Sequence, residues 1–138
     1  MGIQMKDLTD ILMNCTLEFF GSSKHKVMPP DLAKLPNALL LDVRSREEFA
    51  SLAIPMGIHS NIQFIHIPID ELPNRVDEIP SDKNIVVFCP ANFRSTLVYA
   101  YLKMTGYESV RILGGGYYGL IDAVMPPKVY KQVASHNK

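Results

Sequence analysis

Two nearly unbroken apolar stretches, ALLLDV over residues 38–43 and NIVVF over 84–88, constrain this chain's fold more than any other feature. A strand with one face in water alternates apolar and polar residues. A continuous apolar run needs cover on both faces, which is the condition of a parallel sheet. IQFIHI at 62–67 and VRIL at 110–113 read as further strands. Helical signals separate them. Pro29-Pro30-Asp31 opens a short helix. Ser45, with Glu48 three residues on, forms a capping box before another. Pro68-Ile69-Asp70-Glu71 leads into a helix reaching about Ile79. From about Arg94 to Met104, Leu97, Val98, Tyr101 and Leu102 form an apolar stripe that Gly106 closes as a C′ glycine. A brief helix is expected around Tyr118–Ala123. Another follows Pro126-Pro127 and runs to about Ser135. Strands alternating with helices predict an α/β domain: an open, mainly parallel sheet of about five strands, helices on both faces, and right-handed crossovers.

Ahead of this pattern, Met5, Leu8, Ile11, Leu12, Cys15 and Phe19 recur at helical spacing. They predict one amphipathic helix over residues 4–20, ended by Gly21-Ser22-Ser23 and packed on its own domain. Cys15 falls on its apolar face and reads as a buried structural thiol. The 138 residues are 47% hydrophobic, enough for one domain with a real core. The 14 basic and 14 acidic residues balance, with no Lys/Arg run, so neither a nucleic-acid nor a membrane partner is expected. Lys6, Asp7, Asp10 and Glu18 interrupt the first twenty residues, which rules out a signal peptide or a membrane span there. Two cysteines in so apolar a chain point to free thiols in a reducing cytoplasm.

The chemistry gathers at Cys89. It stands at the carboxyl end of the NIVVF strand, where open α/β sheets bind their ligands. The segment Cys89-Pro90-Ala91-Asn92-Phe93-Arg94-Ser95 then runs into a helix. A loop this short, ending at a helix start, turns backbone N–H groups inward and presents a positive dipole end. Both favour a thiolate, and an anionic adduct on its sulfur, with Arg94 adding charge nearby. A core thiol at a strand end is the plainer reading of Cys89 alone. A surface position is the plainer reading of Arg94 alone. Their spacing is what marks them as a site.

That segment resembles the active-site loop of the rhodanese family, a Cys followed by four residues and then Arg-Ser. The resemblance covers roughly residues 27–125. Leu41-Asp42-Val43-Arg44 with Glu47-Glu48-Phe49 is similar to the family's "DVR…EEF". Ile67 to Leu72 is similar to "IPLDEL", and Gly106-Tyr107 with Val110, Leu113 and Gly115-Gly116 to its later glycine segment. The resemblance implies a sulfurtransferase. Cys89 would take sulfur from a small anion such as thiosulfate, or from a persulfide, hold it as a persulfide, and pass it to cyanide or a thiol, which could be a protein's. No metal or organic cofactor is implied. Asp42 and Arg44 carry over as supporting residues that orient the loop by an ion pair or hydrogen bonds.

The chain also departs from the family. Pro90 has no N–H to donate. The loop lacks glycine, and bulky Phe93 would wall or narrow the pocket. The stretch between Pro55 and Pro68 is longer than the family's, an insertion over 56–64 carrying His59, Asn61 and Gln63. This would be a rim loop or solvated surface, with little expectation of a role for His59 or His66. The position of a usual aromatic is taken by Leu120. Two other readings stay open: a non-catalytic binding or regulatory module, and a Cys-based phosphatase or arsenate reductase. The latter has one more residue between its Cys and Arg. Donor, acceptor and oligomeric state are not encoded legibly.

Overall fold

The computed structural model describes residues 6–32, 34–52, 62–90, 92–116, 119 and 125–136. Among them, five strands form one all-parallel sheet in the order β1-β5-β4-β2-β3: β1 (Lys26–Val27), β2 (Ala38–Asp42), β3 (Gln63–His66), β4 (Asn84–Phe88) and β5 (Val110–Leu113). The short edge strand β1 is invisible in the sequence, since two residues cannot display a period.

β2 and β4 are central, and the apolar runs are continuous for that reason. Every residue of β2 is buried, and alternate side chains feed two separate cores. Leu39, Leu41, Ile85, Val87 and Cys89 face one, with Val98 and Leu102 of the helix α6 (Phe93–Met104). Leu40, Val86 and Phe88 face the other, with Leu32 of α3 (Pro29–Leu32). Helices thus cover both faces.

The capping box at α4 (Arg46–Ser51) forms as the sequence predicts, with Ser45 Oγ accepting from the Glu48 N–H and Glu48 accepting from the Ser45 N–H. Gly106 closes α6 with φ near +100°. The Gly106 N–H reaches the Lys103 carbonyl and the Tyr107 N–H the Leu102 carbonyl, the Schellman pattern. The α6 stripe is narrower than expected. Ser95, Val98 and Leu102 are buried and Tyr101 packs at the core margin, whereas Leu97 is exposed.

The predicted helix over 68–79 is instead three short turns: 3₁₀ over Ile69–Glu71, α5 (Leu72–Arg75), and 3₁₀ over Val76–Glu78. The single helix expected over 4–20 is two, α1 (Leu8–Met13) and α2 (Leu17–Gly21). Thr16 breaks it. Its backbone is extended, and its hydroxyl accepts from the Phe19 N–H, so it caps a new helix. The apolar face splits too: Ile11 is buried, but Leu8 and Leu12 are exposed. α1 packs on α6, and the Lys6 N–H donates to the Met104 carbonyl. Cys15 is half-buried rather than buried, its thiol donating to the Ile11 carbonyl. The last helix, α7, runs Pro126–His136. The helix expected around Tyr118–Ala123, and Leu120 with it, lie outside the described residues.

Candidate active site

Cys89 follows β4 directly, with its side chain turned to the α6 face and 1% exposed. Asn92 adopts a left-handed backbone (φ near +69°) that swings the chain from the loop into α6. The first turn of α6 then folds back over the sulfur. The Ser95 N–H donates to Cys89 Sγ at 3.2 Å. The thiol donates to Ser95 Oγ at 3.3 Å, and that hydroxyl in turn donates to the Asn92 carbonyl at 3.1 Å. When sulfur is an anion, the hydroxyl can turn and donate to it. Cys89 therefore has a fixed amide donor at a helix N-terminus.

The loop is pressed from below by the glycine turn after β5. A Cβ on Gly116 would sit 2.2 Å from the Pro90 carbonyl oxygen, and its φ of about +55° is one that side chains rarely adopt. Only glycine lets the two backbones approach so closely. Asn92 Oδ1 is buried with no hydrogen-bond partner among the described residues. Ala91 lies outside the described residues.

Arg94 does not project freely into the loop. Its Nη1 and Nη2 grip Glu48 Oε1 and Oε2 at 2.6 and 3.0 Å. This pair holds Glu48 well below its ordinary range, to about 2, with the Ser45 N–H contributing next. Phe93 does not turn inward toward the core. It is 73% exposed, and Leu97, one turn on, is 52% exposed, so the start of α6 carries an apolar ridge on its outside.

Asp42 and Arg44 form the expected ion pair, fully buried. Arg44 Nη2 meets Asp42 Oδ2 at 2.6 Å and Nε meets Oδ1 at 2.9 Å. Arg44 also donates to the Leu52 carbonyl, and its guanidinium lies over the rings of Phe49 and Phe88. Phe88 immediately precedes Cys89, so the pair packs against the strand end that carries the thiol. His66, paired with Asp42 across β3 and β2, stacks on Phe49 at 4.1 Å. Its Nε2 donates to the Arg44 carbonyl. His66 follows Phe64 by two residues, on the sheet face opposite Cys89, and cannot act as its base. Gln63 opens β3, so that end of the insertion is sheet rather than rim loop. His59 and Asn61 lie outside the described residues.

Sequence reasoning singled out Cys89, Arg94 and Ser95 but missed the contact between Glu48 and Arg94. The capping-box position of Glu48 was legible, whereas its grip on a residue 46 positions away was not. A cavity of about 650 Å³, bordered by Lys6, Tyr99, Lys103 and Arg111, lies by the start of β5. It is at the opposite end of the strands from Cys89 and away from this chemistry. Among the described residues no three His, Cys, Asp or Glu side chains converge as metal ligands, and no helix is long and apolar enough to cross a membrane.

A strand-borne thiol under a helix N-terminus, at the carboxyl end of a five-stranded parallel sheet, defines a class of cysteine-centred α/β domains. Within that class, residues 29–123 match the model of the rhodanese-like domain, and the chain belongs to that family. A sulfurtransferase of Allochromatium vinosum is 35% identical over 85 residues, covering 62% of this chain and 73% of that protein. A rhodanese-related protein of Thermoplasma volcanium shares 26% identity at a TM-score of 0.60, covering 74% of this chain and 95% of that one. An NAD-dependent persulfide reductase of A. fulgidus is 39% identical at a TM-score of 0.53. The match covers 79% of this chain but only 17% of that larger one. Family and relatives together support sulfur transfer as the activity.

Proposed function

We propose that the chain moves sulfane sulfur through a persulfide on Cys89. The Cys89 thiolate attacks the outer sulfur of a donor. A bond forms between Sγ and that sulfur while the donor's own bond to it breaks. The electron pair leaves with the donor remnant: sulfite from thiosulfate, or a thiolate from a persulfide. Cys89 then carries –S–S⁻, and an acceptor thiolate or cyanide attacks the terminal sulfur and returns Cys89 as thiolate. No external oxidant is needed.

The observation that carries this reading is the Ser95 N–H held 3.2 Å from Sγ at the start of α6. The donor is fixed before reaction, so it stabilises charge on sulfur without reorganisation. Ser95 Oγ supplies a second donor once it turns. Asp42 and Arg44 hold the strand end beneath. The acceptor in this proposal is a thiol, in a reducing cytoplasm.

Intact-protein mass spectrometry after incubation with thiosulfate, and separately with an organic persulfide, tests it. A gain of one sulfur atom on Cys89, removed by cyanide and absent in Cys89→Ala, is the expected result. No gain with either donor would leave a binding module, and hydrolysis of an aryl phosphate would point to the phosphatase reading.

A further inference from the structure

The loop Cys89–Ser95 contains one charged residue, Arg94. Both terminal nitrogens of that residue are turned on a carboxylate. Glu48 is anchored in turn by the capping box of α4, so it is not a side chain that drifts away. A doubly charged donor such as thiosulfate entering this loop meets a guanidinium already neutralised, with the Glu48 carboxylate beside it. It also meets Pro90, which has no N–H to offer, and Asn92 Oδ1, a buried acceptor with no donor among the described residues, which disfavours a dianion more than a single charge. On the exposed side of α6, Phe93 and Leu97 place apolar surface one helical turn apart on the helix that carries Ser95.

We infer, resting on the persulfide reading above, that Glu48 is a positioning residue that selects donors. By occupying Arg94, it turns the site away from small dianions and toward singly charged sulfane donors bearing an organic group. Organic persulfides and thiosulfonates share that chemistry, RS–S⁻ and RSO₂–S⁻. The sulfane sulfur passes to Cys89 as before, and the pair of electrons leaves on RS⁻ or RSO₂⁻. The organic group would lie along Phe93 and Leu97.

Benzenethiosulfonate and thiosulfate are the probes, since both deliver one sulfur and differ in charge and in the ring. The readout is the ratio of their kcat/KM values for loading Cys89, in wild type and in Glu48→Gln. Glutamine keeps the capping geometry. Releasing one charge-assisted pairing should move the ratio about tenfold toward thiosulfate, mainly through its KM. A general loss of structure would lower both donors together and leave the ratio alone. Phe93→Ala should move the ratio the same way by lowering benzenethiosulfonate. A ratio unchanged in Glu48→Gln overturns the inference and leaves the persulfide reading standing. Failure of both donors in wild type overturns both.

A second measurement needs no variant. With Arg94 neutralised, wild-type kcat/KM for thiosulfate should be nearly flat with ionic strength, whereas a steep fall with salt would mean an unpaired positive site and overturn the inference.

Discussion

Two ion pairs stand near the carboxyl end of this sheet, and they are built alike. Arg44 grips Asp42, and Arg94 grips Glu48. Each has two guanidinium nitrogens on one carboxylate, with a shortest contact of 2.6 Å. Their surroundings differ. Asp42 and Arg44 are 0% exposed, wrapped by Phe49 and Phe88. Arg94 and Glu48 are about a third exposed, at 32% and 35%. Equal geometry therefore does not mean equal work. A sealed pair cannot exchange its partner for water or a ligand, so it acts as a fixed part of the strand end. A half-exposed pair competes with solvent and with any anion that arrives, so it can influence what binds.

The comparison breaks most readily at the sealed pair. Arg44→Ala would leave the Asp42 carboxylate buried alone and should cost about 3–5 kcal/mol in denaturant unfolding. Replacing both partners with apolar residues, as in Asp42→Leu with Arg44→Met, should recover much of that loss. A double variant as unstable as the single one would mean the pair stabilises in its own right.

The next effect is at the glycine turn. Gly116→Ala strains a backbone at φ near +55° and drives a methyl into the Pro90 carbonyl. About 1–2 kcal/mol of stability should be lost from the backbone strain alone, with a larger fractional loss in sulfur loading. Loading equal to wild type would show that the Pro90 peptide does not shape the site.

A smaller effect sharpens the half-exposed pair. Glu48 is held down to about 2 from an ordinary 4.5, first by Arg94 and then by the Ser45 N–H. A depressed carboxyl stabilises the fold above its unfolded value and loses that contribution as pH falls toward the folded one. The stability gap between wild type and Glu48→Gln should therefore be constant above about pH 5 and close between roughly pH 4.5 and 2. A gap independent of pH across that window would mean the pairing contributes nothing to folding.

The smallest effect is expected at Cys15. It bonds to the Ile11 carbonyl on a helix remote from the loop, and Cys15→Ala should leave turnover unchanged in the same loading assay. A large loss would reveal a second thiol in the reaction.

Local sequence was a good guide wherever local rules decide. The run at 38–43 dictated a strand covered on both faces. Ser45 with Glu48 dictated a capped helix start, and Gly106 a helix end. The order Cys89, four residues, Arg94, Ser95 pointed to the loop. Reading failed where local signals compete or distant partners decide. Thr16 split the N-terminal helix because a cap can outcompete continued helical spacing, and periodicity alone does not weigh the two. The turns over 69–78 share a helix's composition without its continuity. The bulk of Phe93 is visible in sequence, but its exposed direction is not.

By itself, then, the sequence determined the α/β class, the two central strands and the cysteine at the end of one, since these follow from period, burial and turn chemistry within a dozen residues. Tertiary structure alone decided that Arg94 belongs to Glu48, that Gly116 presses on Pro90, and that His66 faces away from Cys89. The reason is physical. A charge's effective strength and a side chain's direction depend on which distant groups the fold brings within a few ångströms, and on how much water it leaves between them.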